Sequence, residues 1–198
     1  MASENPLDNE MSDSVFMVCP LLARAGMLDR AVEHFEKMQT LCRRPDGLYR
    51  HSPLAEVAWG RGNAFPLLGL ALTLTHLPAS HAGFARLKAA YENLARELAR
   101  HQREDGMWRQ VIDLPEAWPE YSCTAMIAAA LARGIAKGWI SDSRYRLQRR
   151  TSADGAVEGV CESTGKLTSL ADYIRRKAIH GVDARGGAMG LFLATELM

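Results

Sequence analysis

An aspartate close to the amino terminus, Asp13, is followed by an apolar run at residues 15–18. Apolar surroundings favour the neutral form of a carboxyl group, and a neutral carboxyl group can donate a proton as a general acid. Aspartate is also a common helix N-cap, because its side-chain oxygen accepts a hydrogen bond from the first turn. The residues alone therefore leave two interpretations of Asp13 open, a proton donor and a helix cap.

A second segment rich in functional side chains, WGRGNAF, spans residues 59–65. Arg61 carries a planar guanidinium that can hold a carboxylate in a bidentate fork, or it can form a structural ion pair, for example with Glu56. Trp59 offers an aromatic face either for stacking on a ligand ring or for core packing. Asn63 is of a type that caps helices, so its role could be purely structural.

The elements that position these residues are predicted to be helices, because apolar residues recur at helical spacing almost throughout the chain. The first helix follows Asp13 and ends at Gly26, with Pro20 as a kink or an early stop. The others are predicted at residues 28–43, 63–75, 82–101, 120–137, 142–150 and 184–197. The third and fifth helices are apolar nearly all round, whereas the second and fourth are amphipathic. Residues 154–166 are predicted to form an irregular or strand-like loop.

The dipeptide Asp-Gly, a strong turn signal, occurs at residues 46–47, 105–106 and 154–155. The intervals of 59 and 49 residues each match about one helical hairpin. We therefore predict stacked helical hairpins with an inner ring of apolar helices and an outer ring of amphipathic ones. Seven helices are too few to close such a double ring, so we expect half a barrel.

Composition restricts the classes of partner and cofactor. The net charge of the 198 residues is +1, which predicts no binding to nucleic acid or to a membrane surface. No apolar run approaches the roughly 20 residues of a spanning helix, and no signal peptide is visible. We expect a single cytoplasmic domain over residues 1–198, with residues 1–11 disordered.

The sequence contains four cysteines, Cys19, Cys42, Cys123 and Cys161. They are widely spaced and form no CxxC pair, so a zinc site is not expected. We interpret them as reduced core residues, with disulfides or a nucleophile as the alternatives. No HExxH or paired histidine motif occurs, so neither a metal nor another cofactor is predicted.

The segment WGRGNAF resembles the WxRGNxW segment of the unsaturated rhamnogalacturonyl hydrolases, glycoside hydrolase family 105, which are related to the unsaturated glucuronyl hydrolases of family 88. Further segments resemble that family in the same order: SDSVFMVCPLLARAG, DGLYRHS, DGMWRQVIDLPEAWPEYSCTAMIAAALARGIAKGWI and HGVDARGGAMGLFLATEL. The resemblance covers residues 12–197. It implies an all-α (α/α)6 barrel of helical hairpins, of which this chain would form the C-terminal part.

The resemblance also implies a reaction, hydration of the C4=C5 double bond in a terminal unsaturated uronic acid of an oligosaccharide. It assigns Asp13 as the general acid/base, although an Asp at this position could still be only a helix cap. The residues that it assigns to substrate binding are Met17, His51, Trp59, Arg61, Asn63 and Phe65. By type and position alone, His51 would be a surface residue of a loop and Met17 a core residue.

This sequence departs from the family pattern at three points. Phe65 replaces the second tryptophan of WxRGNxW, and Ser52 follows the histidine where the family often has glycine or aspartate. The second aspartate of the family's site has no counterpart, because the region that carries it lies outside the resemblance.

Two other functions remain open. One is a catalytically inactive half-barrel that acts as a binding or scaffold module, and the other is a sugar epimerase or a different (α/α)6 glycosidase. An open barrel edge would favour self-association. The carboxylates around the fourth and fifth helices could form an acid pair, but loop carboxylates are usually solvated. They are Asp105, Asp113, Glu116 and Glu120.

Overall fold

The computed structural model describes residues 10–141 and 156–198, and helices dominate this part of the chain. The helices are α1 (Ser14–Arg24), α2 (Leu28–Cys42), α3 (Gly60–His76), α4 (Phe84–Arg100), α5 (Tyr121–Ala136), α6 (Leu170–Ile174) and α7 (Ala184–Glu196). Two short antiparallel hairpins pair β1 (Trp108–Arg109) with β2 (Pro119–Glu120) and β3 (Val157–Cys161) with β4 (Ala178–Gly181). The predicted all-α class is confirmed. The helix predicted at 142–150 and the turn at 154–155 lie outside the described residues, as do residues 1–9.

The four long apolar helices form a row in the order α1, α3, α5 and α7, while α2 packs on α1 and α4 packs on α3. The sequence explains this arrangement, since α3 and α5 are apolar on nearly every side and are buried along most of their length. In contrast, α2 and α4 each bury one stripe of side chains and expose the opposite face. Across residues 10–141 and 156–198, no helix combines the length and apolarity that crossing a membrane requires.

Two of the three predicted Asp-Gly turns fall within the described residues, and both are confirmed. Gly47 and Gly106 adopt φ values of 97° and 80°, which glycine reaches without strain. In each turn the aspartate carboxylate accepts a hydrogen bond from the backbone N–H two residues further on, at 3.0 Å for Asp46 and 3.1 Å for Asp105. These turns therefore form from local chemistry alone.

The start of the chain is brought to the site by a close crossing of α1 over α3 at Gly69. A Cβ atom added to Gly69 would lie 2.6 Å from the carbonyl oxygen of Val15 and 2.7 Å from the amide nitrogen of Phe16. Both atoms belong to the backbone, so no side-chain rotation could relieve the overlap. The absence of a side chain at position 69 therefore allows α1, and Asp13 before it, to approach α3.

We expect Gly69→Ala to lower the free energy of unfolding by about 1–3 kcal/mol, because the added methyl group must push the two helices apart. Gly187→Ala is the matched control, since Gly187 lies in α7 and a Cβ there would meet nothing within 4 Å. The control should raise stability by about 0.5–1 kcal/mol through the better helix propensity of alanine. Urea unfolding measures both changes. Equal stabilisation by the two substitutions would show that the α1–α3 crossing is not this close.

All four cysteines are free and buried, as predicted, so the disulfide alternative is wrong. Burial raises the pKa of the Cys19 thiol to about 12 and that of Cys42 to about 11. Burial also raises the pKa values of Cys123 and Cys161. A nucleophilic cysteine needs a lowered pKa, so these thiols act as small apolar side chains of the core.

Candidate active site

Asp13 lies immediately before α1 and directs its carboxyl group towards the loop that contains His51. Its side chain is 17% exposed, and Asp13 Oδ1 lies 3.3 Å from Nε2 of His51. Asp13 occupies the N-cap position, but its carboxylate accepts no hydrogen bond from the helix, so it does not act as a side-chain cap. The Oδ1 atom is shielded from solvent, and its contact with His51 falls outside hydrogen-bond geometry. The structure thus sets this carboxyl group against an imidazole.

His51 is completely buried, so it is not the surface residue that its type and loop position alone would suggest. Its ring lies 4.5 Å from the ring of Trp59, centroid to centroid, and its Nδ1 atom is 2.8 Å from the hydroxyl oxygen of Tyr173. The His51 carbonyl accepts a 2.9 Å hydrogen bond from the backbone N–H of Ser12. This bond joins the segment before α1 to the loop before α3, and it holds Asp13 beside His51.

Trp59 ends the loop in an extended conformation and is the residue before α3, which begins three residues earlier than predicted. Its indole is 1% exposed and packs in a small apolar cluster with Val57 and Val111. The Arg61 guanidinium lies 4.6 Å from the centre of the Trp59 ring. Core packing, one of the two interpretations of Trp59, is therefore present, and stacking on a sugar stays a prediction.

The Arg61 side chain is buried and directed into the protein. Its Nη1 atom donates to the Cys161 carbonyl at 2.6 Å and to Ser122 Oγ at 3.1 Å, and Nη2 donates to the Glu162 carbonyl at 3.0 Å. These bonds connect the first turn of α3 to the end of β3 and to α5. Binding of a substrate carboxylate by Arg61 stays a prediction. The carboxylate would have to accept from those N–H groups of the guanidinium that do not take part in these three hydrogen bonds.

The ionic partner of Arg61 is Glu120, not Glu56 as the sequence suggested. Arg61 Nη1 lies 3.7 Å from Glu120 Oε1, whereas Glu56 pairs with Arg50. Glu120 is 1% exposed, so the expectation that it is a solvated loop carboxylate is wrong. Its carboxylate caps α5 by accepting from the backbone N–H groups of Ser122 and Cys123. It also accepts from the N–H of Cys161 at 2.8 Å, which ties β3 to the helices.

Asn63 connects the His51 loop to α3. Its Oδ1 accepts from the Tyr49 N–H at 2.7 Å, and its Nδ2 donates to the carbonyls of Tyr49 and Trp59 at 2.8 Å and 3.0 Å. The residue lies inside the first turn of α3, so it is not the cap that one interpretation offered, and its hydrogen bonds connect the loop to the helix instead. Asn63 is fully buried, and direct contact with a sugar would require one of these bonds to open.

The two glycines of the WGRGN segment allow this loop to pack closely. A Cβ on Gly60 would lie 2.7 Å from the Arg109 carbonyl oxygen, and a Cβ on Gly62 would lie 3.3 Å from Cα of His51. Glycine at both positions therefore permits α3 to begin directly against the β1 strand and the His51 loop.

Met17 and Phe65, the two remaining predicted substrate-binding residues, differ in exposure. Met17 is 51% exposed and one helical turn after Asp13, so the interpretation of Met17 as a core residue is wrong. Phe65 is 9% exposed, and its ring lies 5.5 Å from that of Phe16. Residues four apart share one face of a helix, so Met17 is available beside the Asp13 carboxyl group.

Four of the predicted site residues thus form one continuous series of contacts, Asp13 to His51, His51 to Trp59 and Trp59 to Arg61. This His51 cluster also contains Tyr173. The cluster can hold a carboxyl group in a partly enclosed setting, where it can give up or take a proton. Among residues 10–141 and 156–198, no group of three or more His, Cys, Asp or Glu side chains could hold a metal ion.

Sequence reasoning missed Tyr173, Gln110 and the buried role of Glu120. Gln110 is fully buried and its Nε2 donates to the Tyr173 carbonyl at 2.8 Å. No periodicity could have found Tyr173, because α6 contains only five residues. For Glu120, the apolar helix that follows it was an available signal, since a carboxylate before such a helix can cap it and be buried with it.

The fold and the sequence can be compared with known proteins. The chain superposes on the glycoside hydrolase from family 105 of C. acetobutylicum ATCC 824 with a TM-score of 0.81 and 20% identity, covering 94% of this chain and 64% of that one. It is 26% identical over 122 residues to the unsaturated rhamnogalacturonyl hydrolase YesR of Bacillus subtilis (strain 168), a stretch that is 61% of this chain and 36% of YesR. An unsaturated 3S-rhamnoglycuronyl hydrolase of Alteromonas sp. (strain LOR) is 33% identical over 92 residues, which are 46% of this chain and 22% of that protein.

These likenesses define the class of the fold, the helical-hairpin toroid of the six-hairpin glycosidases, as the resemblance implied. The family model described as Glycosyl Hydrolase Family 88 matches residues 4–198. The chain belongs to that family. It matches well under half of the length of these two curated relatives, 36% and 22%.

Proposed function

We propose that this chain acts on an unsaturated oligosaccharide and hydrates the C4=C5 double bond of its terminal uronic acid, with Asp13 as the general acid/base. The observation that carries the proposal is the partly enclosed Asp13 carboxyl group in contact with buried His51. The names of two relatives, which are hydrolases of unsaturated rhamnogalacturonyl and rhamnoglycuronyl substrates, support the substrate class.

The proposed reaction needs one positioned carboxyl group. The double bond is conjugated with the ring oxygen as an enol ether, so protonation of C4 by Asp13 produces a cation shared between C5 and that oxygen. A water molecule then adds to C5 and returns a proton to the Asp13 carboxylate. The hemiketal that results opens to a ketone at C5 and leaves a hemiacetal at C1, and collapse of that hemiacetal to an aldehyde releases the neighbouring sugar as an alcohol. Asp13 is protonated at the beginning and at the end, so the cycle closes without a second carboxylate.

Four of the proposed substrate-binding residues fall into two pairs with distinct positions in this proposal. Met17 and Phe65 would contact the apolar faces of the sugar, since Met17 is half-exposed beside Asp13. Trp59 packs against His51, and Arg61 packs against Trp59, so both would act mainly by holding His51 in place. A pectin-derived disaccharide with rhamnose next to the uronic acid is the substrate that we propose, and a cytoplasmic location accords with four free thiols.

The test is a hydration assay with the rhamnogalacturonan disaccharide that a lyase produces. The conjugated enol-ether carboxylate absorbs ultraviolet light, and hydration removes the conjugation. We expect the absorbance to fall in proportion to the concentration of the added chain. A disaccharide whose uronic acid is saturated serves as the control and should remain intact. Constant absorbance with a folded chain at high concentration would overturn the proposal.

A second candidate function is a binding module without catalysis. Large apolar side chains are exposed on the two helices at the ends of the row, with Leu21 of α1 and Leu191 of α7 each 68% exposed. Such exposure is typical of surfaces that contact another chain. Saturable binding of the disaccharide by calorimetry together with constant absorbance would favour this candidate.

A further inference from the structure

Tyr173 lies in α6, 122 residues after His51, and reaches the His51 cluster from a separate part of the chain. Its side chain is completely buried, and its hydroxyl oxygen is 2.8 Å from His51 Nδ1. The two rings meet edge to face, with their centroids 5.8 Å apart. His51 thus has a different partner at each ring nitrogen, Tyr173 at Nδ1 and Asp13 at Nε2.

The direction of the Tyr173 hydrogen bond follows from the partner on the other side of the imidazole ring. His51 Nε2 faces a carboxyl oxygen of Asp13 at 3.3 Å, which favours the ring proton on Nε2. The Nδ1 atom is then left to accept a hydrogen bond from the Tyr173 hydroxyl group. Burial, together with the negative charge of Asp13, raises the pKa of Tyr173 to about 12, so the hydroxyl keeps its proton throughout the neutral range.

A neutral imidazole carries one proton, and a hydrogen bond at one ring nitrogen decides which nitrogen holds it. If Nδ1 accepts from Tyr173, the proton must lie on Nε2, the atom that faces Asp13 Oδ1. Whenever the Asp13 carboxyl group is ionised, the opposite tautomer would set a bare Nε2 lone pair against a carboxylate oxygen, which is electrostatically unfavourable.

We infer that Tyr173 is a positioning residue that fixes His51 as the Nε2–H tautomer and so places the protonated ring nitrogen 3.3 Å from Asp13 Oδ1. This role rests on the proposed function, because it gives Oδ1 to His51 and leaves the second carboxyl oxygen of Asp13 to carry the transferred proton. Tyr173 touches no reacting atom and acts only through His51.

The protein holds Tyr173 firmly enough for this role. Gln110 donates to the Tyr173 carbonyl, and Ser169 caps α6 by accepting from the N–H of Asp172 at 3.2 Å. A five-residue helix has little stability of its own, so these bonds and the burial of the ring fix its place.

The experiment is Tyr173→Phe in the full chain, which removes the hydroxyl group and keeps the ring. Nitrogen-15 NMR of the imidazole, assigned by the signal that His51→Gln removes, reports the tautomer without requiring turnover. We expect the Nε2–H form in the unchanged protein and a mixture of tautomers in Tyr173→Phe. We also expect kcat to fall by about tenfold with KM within about twofold, the size expected for one neutral hydrogen bond.

Tyr91→Phe is the matched control, since Tyr91 is equally buried and its hydroxyl group donates to the Ala130 carbonyl at 2.8 Å. It should leave the His51 tautomer and kcat unchanged even if it lowers the melting temperature. An Nδ1–H tautomer in the unchanged protein, or an unaltered tautomer in Tyr173→Phe, overturns the inference whether or not the chain turns over substrate. Constant absorbance with the unchanged protein overturns the proposed function instead, and a tautomer shift would then still support the hydrogen-bond assignment.

Discussion

Asp13→Asn is expected to lower kcat by about 10²–10⁴-fold, because asparagine keeps the shape of the side chain but has no acidic proton to donate. KM should change little, since the amide can occupy the same space beside His51. The rate is followed by loss of the enol-ether absorbance. Melting curves should show a folded variant, because Asp13 makes no cap hydrogen bond with α1.

Asp29→Asn is the matched control for this prediction. Asp29 lies in the first turn of α2, its side chain is 89% exposed, and its Oδ1 lies 3.1 Å from Nε2 of His81, so it also sets a carboxylate against an imidazole but in solvent. We expect Asp29→Asn to retain the full rate. If Asp13→Asn also retained it, the proton would have to come from another group, and the assignment of Asp13 would be wrong.

Glu120→Ala is expected to lower the free energy of unfolding by about 3–5 kcal/mol, the cost of leaving one charge of a buried ion pair without its partner. The substitution removes the cap of α5, the acceptor for the Cys161 N–H and the charge that faces Arg61. Such a loss is a large part of the total stability of a typical domain. Chemical denaturation followed by circular dichroism measures it.

Glu33→Ala provides the control for Glu120→Ala. Glu33 also pairs with an arginine, Arg30, but the side chain of Glu33 is 62% exposed and that of Arg30 is 71% exposed. Exposed pairs contribute little, so the change should stay within about 0.5 kcal/mol. Equal effects of the two substitutions would mean that Glu120 does not hold α3, α5 and β3 together.

The sequence was sufficient to predict the long helices and their two layers, because their apolar patterns are strong and local. The predicted helix boundaries were less accurate. Helix α3 begins three residues earlier than predicted, because Trp59, which is not a typical cap residue, precedes it. The hairpin of β1 and β2 could not be predicted, as two-residue strands carry no alternation. The same holds for α6, whose five residues are too few for helical periodicity.

In the candidate site, too, the residues could be identified from the sequence, whereas their distant contact partners could not. The resemblance supplied Asp13, His51, Trp59 and Arg61, and the structure joins these four in one series of contacts. The partners of these residues could not be predicted, because they lie far away in sequence. Arg61 and Glu120 are 59 positions apart, and no composition or spacing rule connects them.

The hydrogen bond from the Ser12 N–H to the His51 carbonyl has a consequence for how relatives of this protein could diverge. Both of its atoms belong to the main chain, so replacing either side chain does not delete it. The spacing between the Asp13 carboxyl group and the His51 imidazole can therefore be inherited unchanged while side chains such as Met17 and Phe65 vary. Under the proposed function, new sugar preferences could then arise by substitution at those two positions without a change in that spacing.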